Sequence, residues 1–308
     1  MTIRINIFLE LVLACLTLGC GGAFADDKSS TNYLDLRRCF DFSWTRMHDD
    51  RHSRAAIMVL VEINGQRGYM QLDTGAPKTA LYGAVTDRSG LTVPPQETLK
   101  PRRFCSGSYC WALPSLTVDR RKAASDPKLI GHLGLDIFEG RETLLDYPGQ
   151  HVCTLSGKER NLRVTWSPAV VAAGSLLIPG TIGTTHLDRL LFDTGSGPIT
   201  VSVFPTTWDV IARHLKPATP SLSIEGHSYD GALIHVRGNL IAGTVALGPK
   251  TLTQPVVYEM PENVRSIVAR HGATGVVGDA PFVDQQIILD LRYPARFGVI
   301  ASASTSAW

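Results

Sequence analysis

Apolar residues along this chain come in short runs parted by turn residues, a spacing that predicts strands rather than long helices. Ile57-Met-Val-Leu-Val-Glu-Ile63 reads as one strand, Asn64-Gly65 as a hairpin turn, and Gly68 to Leu72 as the return strand. The second half offers a looser counterpart: Leu176-Leu177-Ile178 predicts a first strand, Pro179-Gly180 begins the connection, and Leu190-Leu191-Phe192 closes the second strand. Both hairpins end on one tripeptide, Asp73-Thr74-Gly75 in the first half and Asp193-Thr194-Gly195 in the second. With 28 Gly and 18 Pro and little helical periodicity, the expected class is all-β.

Further matches extend the repeat. Ser108-Tyr109 and Ser228-Tyr229 stand equally far from their own Asp, as do Ala112-Leu113 and Ala232-Leu233. Gly107 and Gly226 lie beside these points, where the tip of a hairpin is expected. Downstream, Leu133-Gly134 and Val277-Gly278 form apolar-Gly pairs, each followed by Phe138 or Phe282 and then by Leu145-Asp146 or Leu289-Asp290. The second half carries its extra residues between Val236 and Thr274. A module used twice with one insertion is the expectation. Asp146 and Asp290 read as residues that end local structure rather than as catalysts.

Length and charge narrow the classes. The 308 residues suffice for two lobes with ample core, and a net charge of +2 offers no basic face for nucleic acid. Arg4 followed by the apolar run from Ile5 to Gly19, with Ala23-Phe24-Ala25 behind it, predicts an export signal over residues 1–25. Cleavage after Ala25 is the first expectation, and lipidation at Cys20 the alternative, so the chain is expected in the periplasm or secreted. No transmembrane segment is expected in the mature chain. Residues 26–55 are polar and mixed in charge, and a propeptide, an N-terminal strand with loops and a loose arm all remain open. Four cysteines then remain; the short loop between Cys105 and Cys110 suggests one disulfide, leaving Cys39 with Cys153. The lobes are expected over 56–158 and 159–308.

Two carboxylates in contact cannot comfortably ionise together, so they share a proton. One then serves as general base on a water while its protonated partner donates to a carbonyl oxygen. A short Asp on a tight loop suits such a pair, the adjacent Thr can bond across to the other loop, and Gly lets the backbones approach.

In these two Asp-Thr-Gly loops, in the strands before them and in the closing Gly278-Asp279, Phe282, Asp290 and Gly298, the chain resembles the aspartic proteases of pepsin and retroviral type over roughly residues 55 to 300. The resemblance implies a bilobal pepsin/retropepsin-like acid protease fold with Asp73 and Asp193 as the catalytic pair. Thr74 and Thr194 would be the cross-bonding threonines, and Gly75 and Gly195 the tight turns. It also implies a hairpin flap over an extended peptide or protein substrate, with Ser108, Tyr109, Ser228 and Tyr229 as candidates. The chain would act as a monomer, without metal or cofactor. The spacing of the two Asp is short for a pepsin-like chain, so each half looks closer to a retroviral protomer. The alternative function is a non-catalytic peptide-binding or inhibitor-like protein on the same scaffold. Gly226-His227-Ser228-Tyr229-Asp230-Gly231 only loosely matches a serine-hydrolase elbow, because Asp230 stands at its fifth position.

Overall fold

The computed structural model describes residues 38–46, 54–83, 98–113, 115–119, 128–156, 162–215, 222–227 and 233–301, with backbone alone at 214–215, 226–227 and 233. The signal segment, Ser228 and Tyr229 lie outside the described residues. The fold is all-β and bilobal, as the apolar runs predict.

The first lobe is built from β1 (Cys39–Asp41), β2 (Ser43–Thr45), β3 (Ala56–Ile63), β4 (Gln66–Leu72), β5 (Ala80–Tyr82), β6 (Thr98–Leu99), β7 (Phe104–Ser106), β8 (Tyr109–Cys110), β9 (Leu116–Asp119), β10 (Leu129–Leu133), β11 (Glu142–Asp146) and β12 (His151–Thr154). The second opens with β13 (Val164–Pro168), β14 (Val170–Ala172), β15 (Ser175–Ile182), β16 (Thr185–Phe192), β17 (Val201–Val203) and the helix α1 (Pro205–Leu215). It continues through β18 (Leu222–His227), β19 (Leu233–Leu240), β20 (Thr244–Leu247), β21 (Lys250–Thr253) and β22 (Val256–Glu259). The helix α2 (Glu262–Arg270), β23 (Gly275–Val277), β24 (Gln286–Asp290) and β25 (Arg296–Ile300) complete it.

A pseudo-twofold relates the lobes. In the six-stranded sheet β1-β12-β11-β24-β25-β13, strands β11 and β24 pair antiparallel at the centre, with Leu144 opposite Ile288. The remaining strands form one sheet per lobe. In the first, β10 runs parallel to β4 and antiparallel to β5, and β5 runs parallel to β9. In the second, β23 stands in the same relation to β16 and β17, and β17 to β22. Each lobe therefore delivers the end of a central strand, Leu72 or Phe192, to the same place. Both strand ends are fully buried in one apolar core, so the loops that follow stand on a rigid base.

Within the 26–55 stretch, Cys39–Asp41 and Ser43–Thr45 are strands that pair in the first lobe, while residues 26–37 and 47–53 lie outside the described residues. The lobe therefore begins before residue 56. Cys39 sits opposite Cys153 in the β1–β12 pairing and is bonded to it, and Cys105 is bonded to Cys110 across β7–β8, both as expected. The Asn64-Gly65 turn also forms as expected, with φ values of 51° and 90°.

Two expectations need correction. In the second half Pro179-Gly180 does not turn the chain: β15 runs through it, and the turn falls at Gly183-Thr184. Gly180 instead allows close packing, since a Cβ there would lie 2.6 Å from Leu190 and 2.9 Å from the carbonyl oxygen of Ala246. The larger correction concerns the hairpins. β7 pairs with β3, and its counterpart by sheet position is β20, which pairs with β15. Gly107 at the tip of β7–β8 thus matches Gly248 at the tip of β20–β21, each with φ of 55°. The β18–β19 hairpin lies on the opposite edge of its sheet, beyond β22, and Gly226 is a strand residue there, opposite Ile234. Equal sequence distance paired Ser108-Tyr109 with Ser228-Tyr229, but strand pairing does not.

Candidate active site

The two acidic loops meet at the pseudo-twofold. The Thr74 amide donates to Thr194 Oγ1 at 3.0 Å, and the Thr194 amide donates to Thr74 Oγ1 at 3.0 Å. Each hydroxyl then donates to a carbonyl under the other loop, Thr74 to Phe192 at 2.8 Å and Thr194 to Leu72 at 2.9 Å. Both threonines are fully buried. Four bonds in a closed circuit leave neither hydroxyl free to rotate, which fixes the loops against each other. Behind them, the Asp73 amide donates to Leu133 and the Asp193 amide to Val277, each at 2.9 Å.

Glycine is required at the meeting point. A Cβ on Gly75 would lie 2.6 Å from the Asp193 carboxyl, and one on Gly195 would lie 2.9 Å from a carboxyl oxygen of both Asp73 and Asp193. The apolar-Gly pairs pack behind: a Cβ on Gly134 would lie 2.8 Å from the Ala76 carbonyl oxygen, and one on Gly278 would lie 1.9 Å from that of Ser196. The expected Asp73, Thr74, Gly75, Asp193, Thr194 and Gly195 are thus brought together.

The carboxyls of Asp73 and Asp193 converge on one point, since a single Cβ on Gly195 would touch an oxygen of each at 2.9 Å. Asp193 also accepts from the Gly195 amide at 2.8 Å and from Ser196 Oγ at 2.7 Å, while Asp73 accepts from the Ala76 amide at 3.0 Å. Burial, then the facing Asp73 carboxyl, push Asp193 up to about 7 against the pull of its own donors. Such a pair holds one proton between two groups across mildly acidic pH. Gln71, half-buried two positions before Asp73, reaches the Gly195 carbonyl at 3.4 Å.

Tyr109 is placed elsewhere. Its ring packs against Phe40 and Trp111, and its hydroxyl lies between Arg141 Nη1 at 2.7 Å and Thr154 Oγ1 at 3.0 Å. Thr154 faces Thr143 near the start of β11, and Tyr147 follows the other end of that strand and donates to Asp279. Ser108 is an exposed turn residue at the tip of β7–β8. Tyr109 is therefore a packed residue of the first lobe. In the second lobe, Ile224 and Val236 of β18–β19 cluster with Ile199, six residues after Asp193, so this hairpin leans on the second acidic loop.

Asp279 is the residue whose importance was not foreseen. It is fully buried directly after Gly278, and its Oδ1 accepts from Tyr147 at 2.6 Å. Its signal was present in the sequence: the first half has Leu135 at the same position after Gly134. Asp146 and Asp290 end their strands as expected; Asp146 accepts from the Gly149 amide and Gln286, and Asp290 from Arg292 and Arg296.

No protein-family model and no curated protein sequence matches the chain.

Proposed function

We propose that this chain is an exported aspartic endopeptidase on a pepsin/retropepsin-like scaffold, with Asp73 and Asp193 as its catalytic pair. The observation that carries this reading is the convergence of the two carboxyls beside Gly75 and Gly195, with their loops held together by the reciprocal Thr74 and Thr194 circuit. The ionised member of the pair takes a proton from a water lying between them, and the water oxygen attacks the peptide carbonyl carbon. The protonated member gives its proton to the carbonyl oxygen, forming a neutral tetrahedral diol. Collapse returns a proton from a diol hydroxyl to the pair and transfers one to the departing amide nitrogen, breaking the C–N bond. The pair ends with one proton, as it began.

An extended substrate suits a site built between two sheets, because strand-like main-chain bonds hold a peptide across it. The two disulfides fit an oxidising compartment, and no helix among the described residues is long and apolar enough to cross a membrane.

The test is Asp73→Asn and Asp193→Asn, assayed with the mature protein on a mixed peptide library from acidic to neutral pH. Each variant is expected to lose about a thousandfold or more in kcat, because neither half of the base–acid couple works alone. Full activity in either variant sinks the shared pair. Saturable binding by the unmodified protein without cleavage at any pH supports the binding-protein alternative instead.

A further inference from the structure

The two disulfides differ in what surrounds them. Cys39–Cys153 lies inside the six-stranded sheet, with both cysteines buried among Leu144, Leu155 and Ile288. Cys105–Cys110 crosses the strands of an edge hairpin, and its halves are unlike: Cys105 is buried and Cys110 is exposed. On the buried side Arg103 Nε donates to Cys105 Sγ at 3.3 Å. The backbone of Arg103 is held in place, because Asn64 Oδ1 accepts from its amide at 3.1 Å and from that of Arg102 at 2.8 Å. The hairpin has other ties besides its cross-link. Ser106 pairs with Tyr109, and the Trp111 amide donates to the Phe104 carbonyl at 2.9 Å. The Tyr109 hydroxyl, between Arg141 and Thr154, adds a third tie. These keep the two sulfurs within reach of each other when the S–S bond opens.

We infer that Cys110 is a thiol-exchange site, where an anionic low-molecular-weight thiol forms a mixed disulfide while Cys105 leaves as a thiolate. Displacement at sulfur runs in line, with the attacking, attacked and leaving sulfurs in a row, so access decides which sulfur is attacked. A thiolate reaches Cys110 from the solvent side, whereas attack on Cys105 would have to come through buried structure. The new bond joins the incoming sulfur to Cys110 Sγ, the old S–S bond breaks, and its electron pair goes to Cys105 Sγ. The Arg103 guanidinium beside that sulfur stabilises the charge it acquires, which makes Cys105 the better leaving group. A second thiolate then attacks the sulfur of the bound thiol, forming the small disulfide and leaving the electron pair on Cys110. Two thiols are oxidised for each protein disulfide reduced. The charge nearby selects an anion. Lys100, Arg102 and Arg103 precede β7, and Glu62, across from Cys105, is already paired with Arg67. None of this requires cleavage of peptides, so the site stands or falls apart from the endopeptidase reading.

The experiment treats the folded mature protein with glutathione, blocks free thiols by alkylation and maps the peptides by mass. Glutathione is expected on Cys110, the alkyl group on Cys105, and the Cys39–Cys153 bond intact. Arg103→Gln should slow the exchange about tenfold, the contribution of one hydrogen bond to a charged group, and leave the thermal midpoint unchanged. Cysteamine, a cationic thiol, should react several-fold more slowly than glutathione once each is scaled to its rate on a neutral small disulfide. Added salt should close that gap. Glutathione found on Cys105, both disulfides opening at one rate, or no exchange short of unfolding overturns the inference. Equal scaled rates for the two thiols overturn the choice of an anion, and an unslowed Arg103→Gln overturns the part given to Arg103. The site of attack and the choice of thiol are read on the unmodified chain, so they are decided even if Arg103→Gln does not fold.

Discussion

The two lobes share a strand plan but hold themselves together differently. The second lobe covers the outer face of its sheet with α2, whose Val264 and Val268, with Met260, pack on Leu177, Leu191 and Val276. At the matching places the first lobe has Met58 and Gln71, both half-buried, and Leu60 on the same strand is 44% exposed. Both disulfides of the described residues belong to the first lobe. Among the described residues no helix packs on that face of the first lobe; a face left wet forgoes about 25 cal/mol for each Å², and cross-links offset such a loss by restricting the unfolded chain. The comparison teaches that the acidic loops need equal support, but not support of one kind.

Reduction breaks the comparison most sharply. Cys39–Cys153 closes a separation of 114 residues, and its loss in Cys39→Ser/Cys153→Ser should cost about 5 kcal/mol on the chain-entropy account. Cys105–Cys110 closes a separation of 5, and its loss should cost about 2 kcal/mol. Urea unfolding reads both. Hydrogen exchange adds the lobe-specific outcome, with amides of β3 and β4 losing protection before those of β15 and β16. Equal loss in both lobes would mean that the cross-links staple the whole molecule rather than one half.

The threonine circuit sharpens the comparison from the other side, because there the lobes should be alike. Thr74→Val leaves the Thr194 amide and the Phe192 carbonyl without partners, and Thr194→Val does the same to the Thr74 amide and the Leu72 carbonyl. Two buried groups stranded in each case should cost about 4 kcal/mol, equal between the two variants within about 1 kcal/mol. A clearly larger loss for one threonine would show that one loop leans on the other.

How much of this could be read from the chain depended on whether a signal was local. The hairpin from Ile57 to Leu72 was legible because alternation, an Asn-Gly turn and a return strand lie within one short stretch. The acidic loops were legible because Thr and Gly beside Asp have few other uses when the pattern occurs twice. Pro179-Gly180 misled because a glycine that lets Leu190 and Ala246 approach looks in sequence like one that turns the chain. Ser108-Tyr109 and Ser228-Tyr229 misled because counting residues ignores where an insertion falls. β18–β19 entered before the second lobe's counterpart of β7–β8, so equal distance pointed at different hairpins. Tyr147 and Asp279 are 132 residues apart, and nothing local in either predicts the other.

Tyr109 supplies the smallest expected effect. As a cover over a substrate it would contribute to KM or kcat and little to folding; as packed here, it does the reverse. Its hydroxyl lies within bonding distance of Arg141 and Thr154, and its ring fills the space beside Phe40 and Trp111. Tyr109→Phe keeps the ring and removes the hydroxyl, so it should cost about 1 kcal/mol of stability and leave KM and kcat for any cleaved peptide within about twofold. The hydroxyl is part-buried and Arg141 can turn toward water, which keeps the loss small. An unchanged midpoint together with a several-fold rise in KM would return this hairpin to the cleft. The lobes would then be more alike at the substrate than their strand pairing makes them.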